Sequence, residues 1–598
     1  MNQKFPHAVS ELRGAFIAGP AMSMVTDELI VKPLSPISSI SLLSKFNIPI
    51  SDIEEHIVCM GKRRVTTLYF TPFKFQRRRA KEKKRNREEP FDSHSFQQLN
   101  SMAAKQMSMS LTLLVDKERK RVIYAESGKD FVETLLSFLT MPLGTVIKLS
   151  GKQSNMGSLT MLYQSLEDLD LEFLSTKSCK DMLLHPKSSA VELYKNLHPL
   201  VDIGATKPTQ YYICSSTVEN TQCCCGKTMG WEISVKKDED VDADGRDGVF
   251  VKGKMRFMIR DDLQVSVVSS STFFAVLREF GISDASVLEE RNVNVGEEEV
   301  LHLLKRFLLS KTPLTDVFLG ELNTVDEVDL DLKVIALDSV EMVQSQTEKE
   351  MRSDSGKMIV KLFLSKSNNK VLYAEGGEEI ADLLFSFLAF PLGSIVKCLG
   401  GCTSMGCLDN LYKSVEDLSC KDCIKSEECK AMLLDPKLAP YFGTKNQLLQ
   451  IEEQVPCKPN IFYCSSCYVE KGPYITGPRT CSHGIRSIQL STVNKKFPDE
   501  VTELEGAFMA GPAMFMVTDE LIVKPLSPIS SISLLRKFNI PVSDIEEQIV
   551  CIGEKEAISL LKASLISNSV LSNVFYTKKP KQMETKPRRR IFQAHDFI

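Results

Sequence analysis

LTLLVDKERKRVIYAESGKDFVETLLSFLTMPLGTVIKL runs from Leu111 to Leu149, and VKLFLSKSNNKVLYAEGGEEIADLLFSFLAFPLGSIVKCL runs from Val360 to Leu399. The second stretch is a diverged copy of the first, so one unit has been duplicated and its reading decides the fold. LTLLV and RVIYAE are β-rich apolar runs joined by the charged turn DKERK, which spells a β-hairpin. The second copy turns through SKSNNK, whose Asn pair tolerates a tight bend. A helix is expected next, capped by Asp130, with Phe131, Leu135, Phe138 and Leu139 on one face. Pro142 and Gly144 end it, and TVIKL reads as a third strand. Matches continue downstream: LYQSLEDL (162–169) with LYKSVEDL (411–418), MLLHPK (182–187) with MLLDPK (432–437), and YICSS (212–216) with FYCSS (462–466). This is module A.

A second module, B, alternates with it. MIRDDLQVSVVSSSTFFAVLREFGI starts at Met258 and MVTDELIVKPLSPISSISLLRKFNI starts at Met516. B reads strand, strand, helix, loop, helix. In its last copy LIVKP is a strand, Ser527 is a natural N-cap, and Pro528 takes the first helical position. Ile529, Ile532, Leu535 and Phe538 form the expected buried stripe, and Gly553 precedes the helix EKEAISLLKASL. The stretch MVTDELIVKPLSPISSISLL occurs twice, at Met24–Leu43 and at Met516–Leu535. Residues 5–62 are therefore a third B that stops before its last helix. It is a partial duplication, a gene model that joined part of a tandem neighbour, or an extension that packs on another module. Alone it would leave an apolar face uncovered.

The resulting division is a truncated B (1–62), a basic linker (63–106), A (107–236), B (248–320), A (355–493), B (497–577) and a basic tail (578–598). Mixed strands and helices with hairpins in each module give an α+β class rather than a doubly wound parallel sheet. The 598 residues allow roughly four domains at ~150 residues each. A net charge of −3 provides no global field for nucleic acid or membrane. No apolar run is long enough for a membrane helix and no signal peptide is evident, so an intracellular place, cytoplasmic or nuclear, is expected. The 17 cysteines then read as thiols or metal ligands.

The strongest site candidate is CSSC at Cys464 and Cys467 with CSH at Cys481 and His483, two short turns that could give zinc four donors. The first copy keeps Cys214 but has Thr217 in place of the second cysteine. Cys223, Cys224 and Cys225 follow, and adjacent strand residues point apart, so Cys214, Cys223 and Cys225 are the weaker set. Cys420, Cys423 and Cys429 read as surface or half-buried thiols, since only Cys429 has a counterpart, Cys179. Histidines do not match between copies: His185 aligns with Asp435 and His302 with Ser559. That excludes a Ser–His or Cys–His pair shared by both repeats. Asp261 and Asp262, matched by Asp519 and Glu520, read as turn chemistry rather than a catalytic pair. The Ser527–Pro528 helix start reads as a cap before a phosphate site. The basic runs Arg77–Arg87 and Lys586–Arg590 read as solvated segments, and Trp231 as a hydrophobic plug.

At LLSFLTMPLGTVIKL, LLFSFLAFPLGSIVKCL, SISLLRKFNI and EKEAISLLKASL the chain resembles the plant family named domain of unknown function 674, over about 107–577 and 5–62. The resemblance implies a plant origin, an A–B repeat and an intracellular protein, with paired cysteines common near 464–483. It implies no activity, ligand or catalytic residue. The favoured reading is a non-enzymatic binding or scaffold protein with a protein partner, with zinc as a structural cofactor. The competitors are a thiol- or metal-dependent enzyme and a zinc-ribbon nucleic-acid binder. The enzyme predicts a low-pKa cysteine in a pocket, and the nucleic-acid binder predicts salt-sensitive binding through residues 77–87.

Overall fold

A computed structural model describes residues 109–190, 248–320, 357–455 and 506–576, apart from short gaps at 152–155, 254, 369 and 445–446. It also describes residues 494, 496 and 497 and six isolated strands. In chain order the strands are β1 (Ser23–Val25), β2 (Val31–Pro33), β3 (Met109–Asp116), β4 (Arg121–Ser127), β5 (Tyr211–Cys214), β6 (Met229–Ile233), β7 (Phe257–Arg260), β8 (Val265–Val267) and β9 (Leu288–Val295). The second copy adds β10 (Met358–Ser365), β11 (Lys370–Gly376), β12 (Asn460–Cys464), β13 (Ile485–Gln489), β14 (Phe515–Thr518), β15 (Val523–Pro525) and β16 (Ile545–Ile552). The helices are α1 (Lys129–Ser137), α2 (Leu143–Leu149), α3 (Leu159–Asp168), α4 (Lys177–Leu184), α5 (Ser270–Glu279), α6 (Glu297–Leu309) and α7 (Pro313–Phe318). They recur as α8 (Glu378–Ser386), α9 (Leu392–Cys398), α10 (Leu408–Asp417), α11 (Glu427–Leu434), α12 (Pro528–Lys537), α13 (Glu554–Ile566) and α14 (Val570–Phe575).

The class is α+β, built on two similar antiparallel sheets in the orders β8-β7-β4-β3-β9 and β15-β14-β11-β10-β16. Each sheet takes its central hairpin from an A module and its other three strands from the B module that follows. Both hairpins carry an irregularity at matching places, Leu114/Val115 and Phe363/Leu364. Phe131 and Leu135 of α1, with Phe138 and Leu139 of the 3-10 turn that follows it (Phe138–Thr140), are buried, as their spacing leads one to expect.

Four expectations are corrected. Gly128, not Asp130, is the N-cap of α1, and Asp130 sits in the first turn. TVIKL is not a strand: it belongs to helix α2, which buries Leu143, Gly144, Val146 and Ile147, so tertiary burial overrides β-branched propensity. The loop of module B is a full strand, β9 or β16, which pairs with the first strand of the A hairpin along its whole length. Its charged alternation, LEERNVNV and IEEQIVCI, hid it from an apolar-run criterion. The fourth correction, the α12 stripe, is described with the outer faces below.

The helices are exchanged between the copies. Ser165 of α3, in the first copy, accepts the Val523 N–H of the second sheet's edge strand at 3.1 Å. Reciprocally, Ser414 of α10 accepts the Val265 N–H of the first sheet's edge strand at 2.9 Å. The Ser158 hydroxyl donates to the Ser567 carbonyl at 2.8 Å, and the Cys407 thiol at the matching place to the Ser310 carbonyl at 3.2 Å. At the crossing, Leu143 N–H donates to Phe390 O and Leu392 N–H to Met141 O, both at 3.0 Å. Matching bonds on both sides of one point are the signature of an internal two-fold arrangement. One continuous apolar core, with residues from both copies, lies between the sheets and the exchanged helices.

Candidate interaction surface

The polar residues that the two copies share are used for structure. Tyr163 donates to the Leu184 carbonyl, and Tyr412 to the Leu434 carbonyl, each at 3.0 Å. Asp261 accepts from the Thr315 N–H (2.9 Å) and hydroxyl (2.8 Å), and Thr315 accepts the Val122 N–H of β4 at 2.9 Å. Asp519, Ser572 and Val371 repeat this relay at 2.8, 2.9 and 2.9 Å. The acidic pair is thus a turn that caps α7 or α14 and ties it to the hairpin.

A buried carboxylate also recurs. Glu133 accepts the N–H groups of Phe250 (2.8 Å) and Val251 (3.2 Å); Asp382 accepts those of Phe508 (2.9 Å) and Met509 (3.1 Å). Burial pushes both pKa values up, Asp382 to about 6, against the pull of the N–H groups and, for Asp382, of Lys496. Lys496 is itself buried, donating to the carbonyls of Gly443 and Gly506 and lying 4.0 Å from the Phe508 ring. Asp382 lines a small open cleft with Glu378, Glu379, Ser386, Thr444 and Gln447.

The copies differ on the outer faces of their sheets. On the first, α5 drives Phe273 (0% exposed) and Phe274 (8%) onto Leu114, Ile123, Tyr124 and Met258. Phe273 meets Tyr124 edge-on at 6.0 Å. The rest of that face is polar, with Thr112 bonded to Asn292 at 2.9 Å. On the second, Ser531 and Ile532 replace the two phenylalanines. The buried cluster shrinks to Phe363, Leu372, Tyr373, Met516 and Ile540. The expected buried stripe of α12 is therefore corrected: Ile529 (77% exposed), Ile532 (51%) and Phe538 (47%) face solvent, and Leu535 is half-buried. A serine at the central contact cannot pull the helix down as a phenylalanine does. Ser527 holds the N-cap position with Pro528 following, but its hydroxyl makes no cap bond, unlike Ser269 at the start of α5. The adjacent strands extend the apolar face, with Ile359 across from Cys551 and Lys361 across from Ile549, where the first copy has Ser110, Asn294, Thr112 and Asn292. Ile359 is 55% exposed. Scattered exposed apolar residues are ordinary, whereas here Ile359, Ile529, Ile532, Phe538 and Ile549 all belong to one sheet and its outer helix.

A family model described as "Protein of unknown function (DUF674)" matches residues 1–63 and 105–555. The chain belongs to the DUF674 family. Neither the search of curated proteins nor that of solved structures gave a match.

In this DUF674 chain two of the sequence-derived zinc candidates, Cys464 and Cys214, end strands of two-stranded hairpins. β12 and β13 bring Cys464 opposite Ile485, and β5 and β6 bring Cys214 opposite Met229. Cys467, Cys481, His483, Cys223 and Cys225 lie outside the described residues, as do the side chains of Cys464 and Cys214. Among the described residues no group of three or more His, Cys, Asp or Glu could hold a metal ion. No helix among them is long and apolar enough to cross a membrane. Cys423 is buried, and Cys420 and Cys429 are half-buried, with separate contacts: Cys429 Sγ to the Val249 carbonyl at 3.5 Å and Cys420 Sγ to the Ser426 carbonyl at 3.9 Å. His185 lies 3.2 Å from Lys148 Nζ, and its counterpart Asp435 lies 2.5 Å from Lys397 Nζ, so both play one surface role. The basic runs and Trp231's side chain lie outside the described residues. Sequence reasoning missed the apolar outer face, although Ser531 in place of Phe273 was its visible sign.

Proposed function

We propose that this protein is a non-enzymatic binding scaffold that docks a polypeptide on the outer face of its second sheet. The exposed α12 stripe with Ile359 and Ile549 carries the reading, because the matched face of the first sheet is closed by aromatics and lined with polar side chains. An amphipathic helix or apolar strand fits such a face. Among the described residues, the buried thiols favour this over a thiol enzyme. Burial pushes the Cys179, Cys398 and Cys423 thiols up and Cys407 up to about 12, which keeps them protonated and poorly nucleophilic at neutral pH.

Affinity capture with the full chain and its Ile529→Asp/Ile532→Asp variant tests this. Polypeptides bound by the wild type and lost in the variant are expected, with unchanged melting. Identical binding by both proteins would overturn it.

Zinc at Cys464, Cys467, Cys481 and His483 remains part of the proposal. Cys464 at the end of β12 pairs with Ile485 at the start of β13, so the segment carrying the other three donors begins and ends at one place, and four such donors suit a tetrahedral ion. About one zinc per chain is expected by elemental analysis of reduced protein, with loss in Cys464→Ser/Cys467→Ser. Equal metal content in both proteins would contradict this.

A further inference from the structure

We infer that the free edge of β16 takes up an extended segment of another polypeptide, which lengthens the five-stranded second sheet by one strand. The segment carries aliphatic side chains beside Ile549 and Cys551 and a Lys or Arg beside Glu546. This rests on the outer face being a docking surface, and it names the mode of docking and the chemistry of the partner. β16 pairs with β10 over its whole length, Ile545 to Ile552, and its other edge pairs with no described strand. An edge of this length spans about 25 Å, and alternate residues turn their N–H and C=O groups outward along it. β9 ends the first sheet in the same way. Long edges are templates for another chain unless charged or polar side chains blunt them.

The two edges differ in that blunting. β9 pairs Arg291 with Glu289 at 2.9 Å on one side and shows Glu290, Asn292 and Asn294 on the other. On β16, Gln548 stands where Arg291 does, so Glu546, at the place of Glu289, has no ion pair among the described residues. Glu547, by contrast, is met by Lys361 at 3.4 Å. Ile549 and Cys551 stand where Asn292 and Asn294 do. Ile549 is 40% exposed, and Ile359, across from Cys551, is 55% exposed. The edge of β16 therefore offers backbone groups, an aliphatic strip on its outer side and an unpaired carboxylate on the other. Side chains of a strand alternate between faces. In the antiparallel pairing, the more stable one, a segment that meets all of these has aliphatic residues two apart and a basic residue three further on. A second copy's β16, IEEQIVCI, holds no Lys or Arg and cannot supply that cation.

Fluorescence anisotropy of the full chain with the labelled peptide Thr-Val-Thr-Val-Thr-Thr-Lys-Val tests this. The wild type should bind it with a Kd below about 1 mM. Glu546→Lys and Ile549→Lys should each weaken binding at least about tenfold. A peptide with Glu in place of its Lys should bind Glu546→Lys at least about tenfold better than it binds the wild type, a reversal that a folding defect cannot produce. N-methylation of one alternate set of peptide residues should abolish binding while the other set is tolerated, because only one edge of an added strand bonds to β16. No binding by the wild type, no reversal by the charge swap, or equal effects of the two N-methyl sets would overturn strand addition. The docking reading then still stands if Ile529→Asp/Ile532→Asp removes captured polypeptides, and capture unchanged by that variant would overturn both.

Discussion

The two sheets of this protein agree on their inner faces and part on their outer ones. Inside, equivalent residues make equivalent bonds: Ser165 and Ser414, Tyr163 and Tyr412, Asp261 and Asp519. Each inner face receives helices from the other copy, so a change in either half strains both. Outside, no hydrogen bond among the described residues crosses between the copies, and the faces have diverged. Tyr124 is sealed beneath Phe273, its hydroxyl has no hydrogen-bond partner among the described residues, and burial pushes its pKa well up. Burial also raises the Tyr373 pKa, but a hydrogen bond with Ser531 pulls it partly back. The first outer face is a finished small core, and the second is a smaller one that leaves Ile529, Ile532 and Phe538 exposed.

That contrast predicts that matched substitutions have equal effects inside and unequal effects outside. The largest effect belongs to the crossing glycines. Gly406 (φ +38°) would place a Cβ 2.2 Å from the Phe307 carbonyl oxygen, and Gly157 (φ +56°) would place one 2.7 Å from that of Ser564. Alanine at either position should cost about 3 kcal/mol or more in chemical denaturation of the full chain. A loss below about 1 kcal/mol at either would break the claim that the exchange is tightly seated.

Next comes Phe273→Ser, which turns the first face into the second. It should cost about 2–4 kcal/mol, a truncation penalty partly offset by a new partner for the Tyr124 hydroxyl. The reverse change, Ser531→Phe, should be neutral or stabilising by up to about 1 kcal/mol and should draw α12 down. Its reading is lower amide exchange over residues 528–537, and a destabilisation above about 1 kcal/mol would show that this face has no room for the ring.

A smaller effect is pH-dependent. Asp382 has a folded pKa of about 6, above the ordinary carboxylate value, so the folded state holds more protons between about pH 4 and 6. Its contribution is favourable below the unfolded pKa and is lost as pH rises through about 6. Stability should fall by roughly 1–3 kcal/mol across that window through this group. Asp382→Asn, which keeps an oxygen for the Phe508 and Met509 N–H groups, should flatten the slope. An unchanged slope in the variant would place the titration elsewhere.

Much of this architecture was legible in the sequence. The hairpins, the α1 stripe and the A–B repeat follow from period, turn residues and self-similarity. The helix exchange was not legible, because Ser165 and Ser414 carry the same letters whether they bond to their own sheet or to the other. Nor was α2, whose β-branched run becomes helical only through the burial it gains between the copies. For the interaction face, the stripe at 529, 532, 535 and 538 had the right spacing for burial. Periodicity finds an apolar face, but it does not say whether the protein's own core or a partner covers it. The aligned pair Phe273 and Ser531 held that information.

The most direct test measures the denaturant stability of the full chain carrying Phe274→Asp or Ile532→Asp, two equivalent positions with opposite roles. Phe274→Asp should lose about 3 kcal/mol or more, since a charge would enter a closed core, and Ile532→Asp should stay within about 0.5 kcal/mol of the wild type. An Ile532→Asp variant as damaged as Phe274→Asp would mean that α12 belongs to the core and that the second sheet keeps no face for docking.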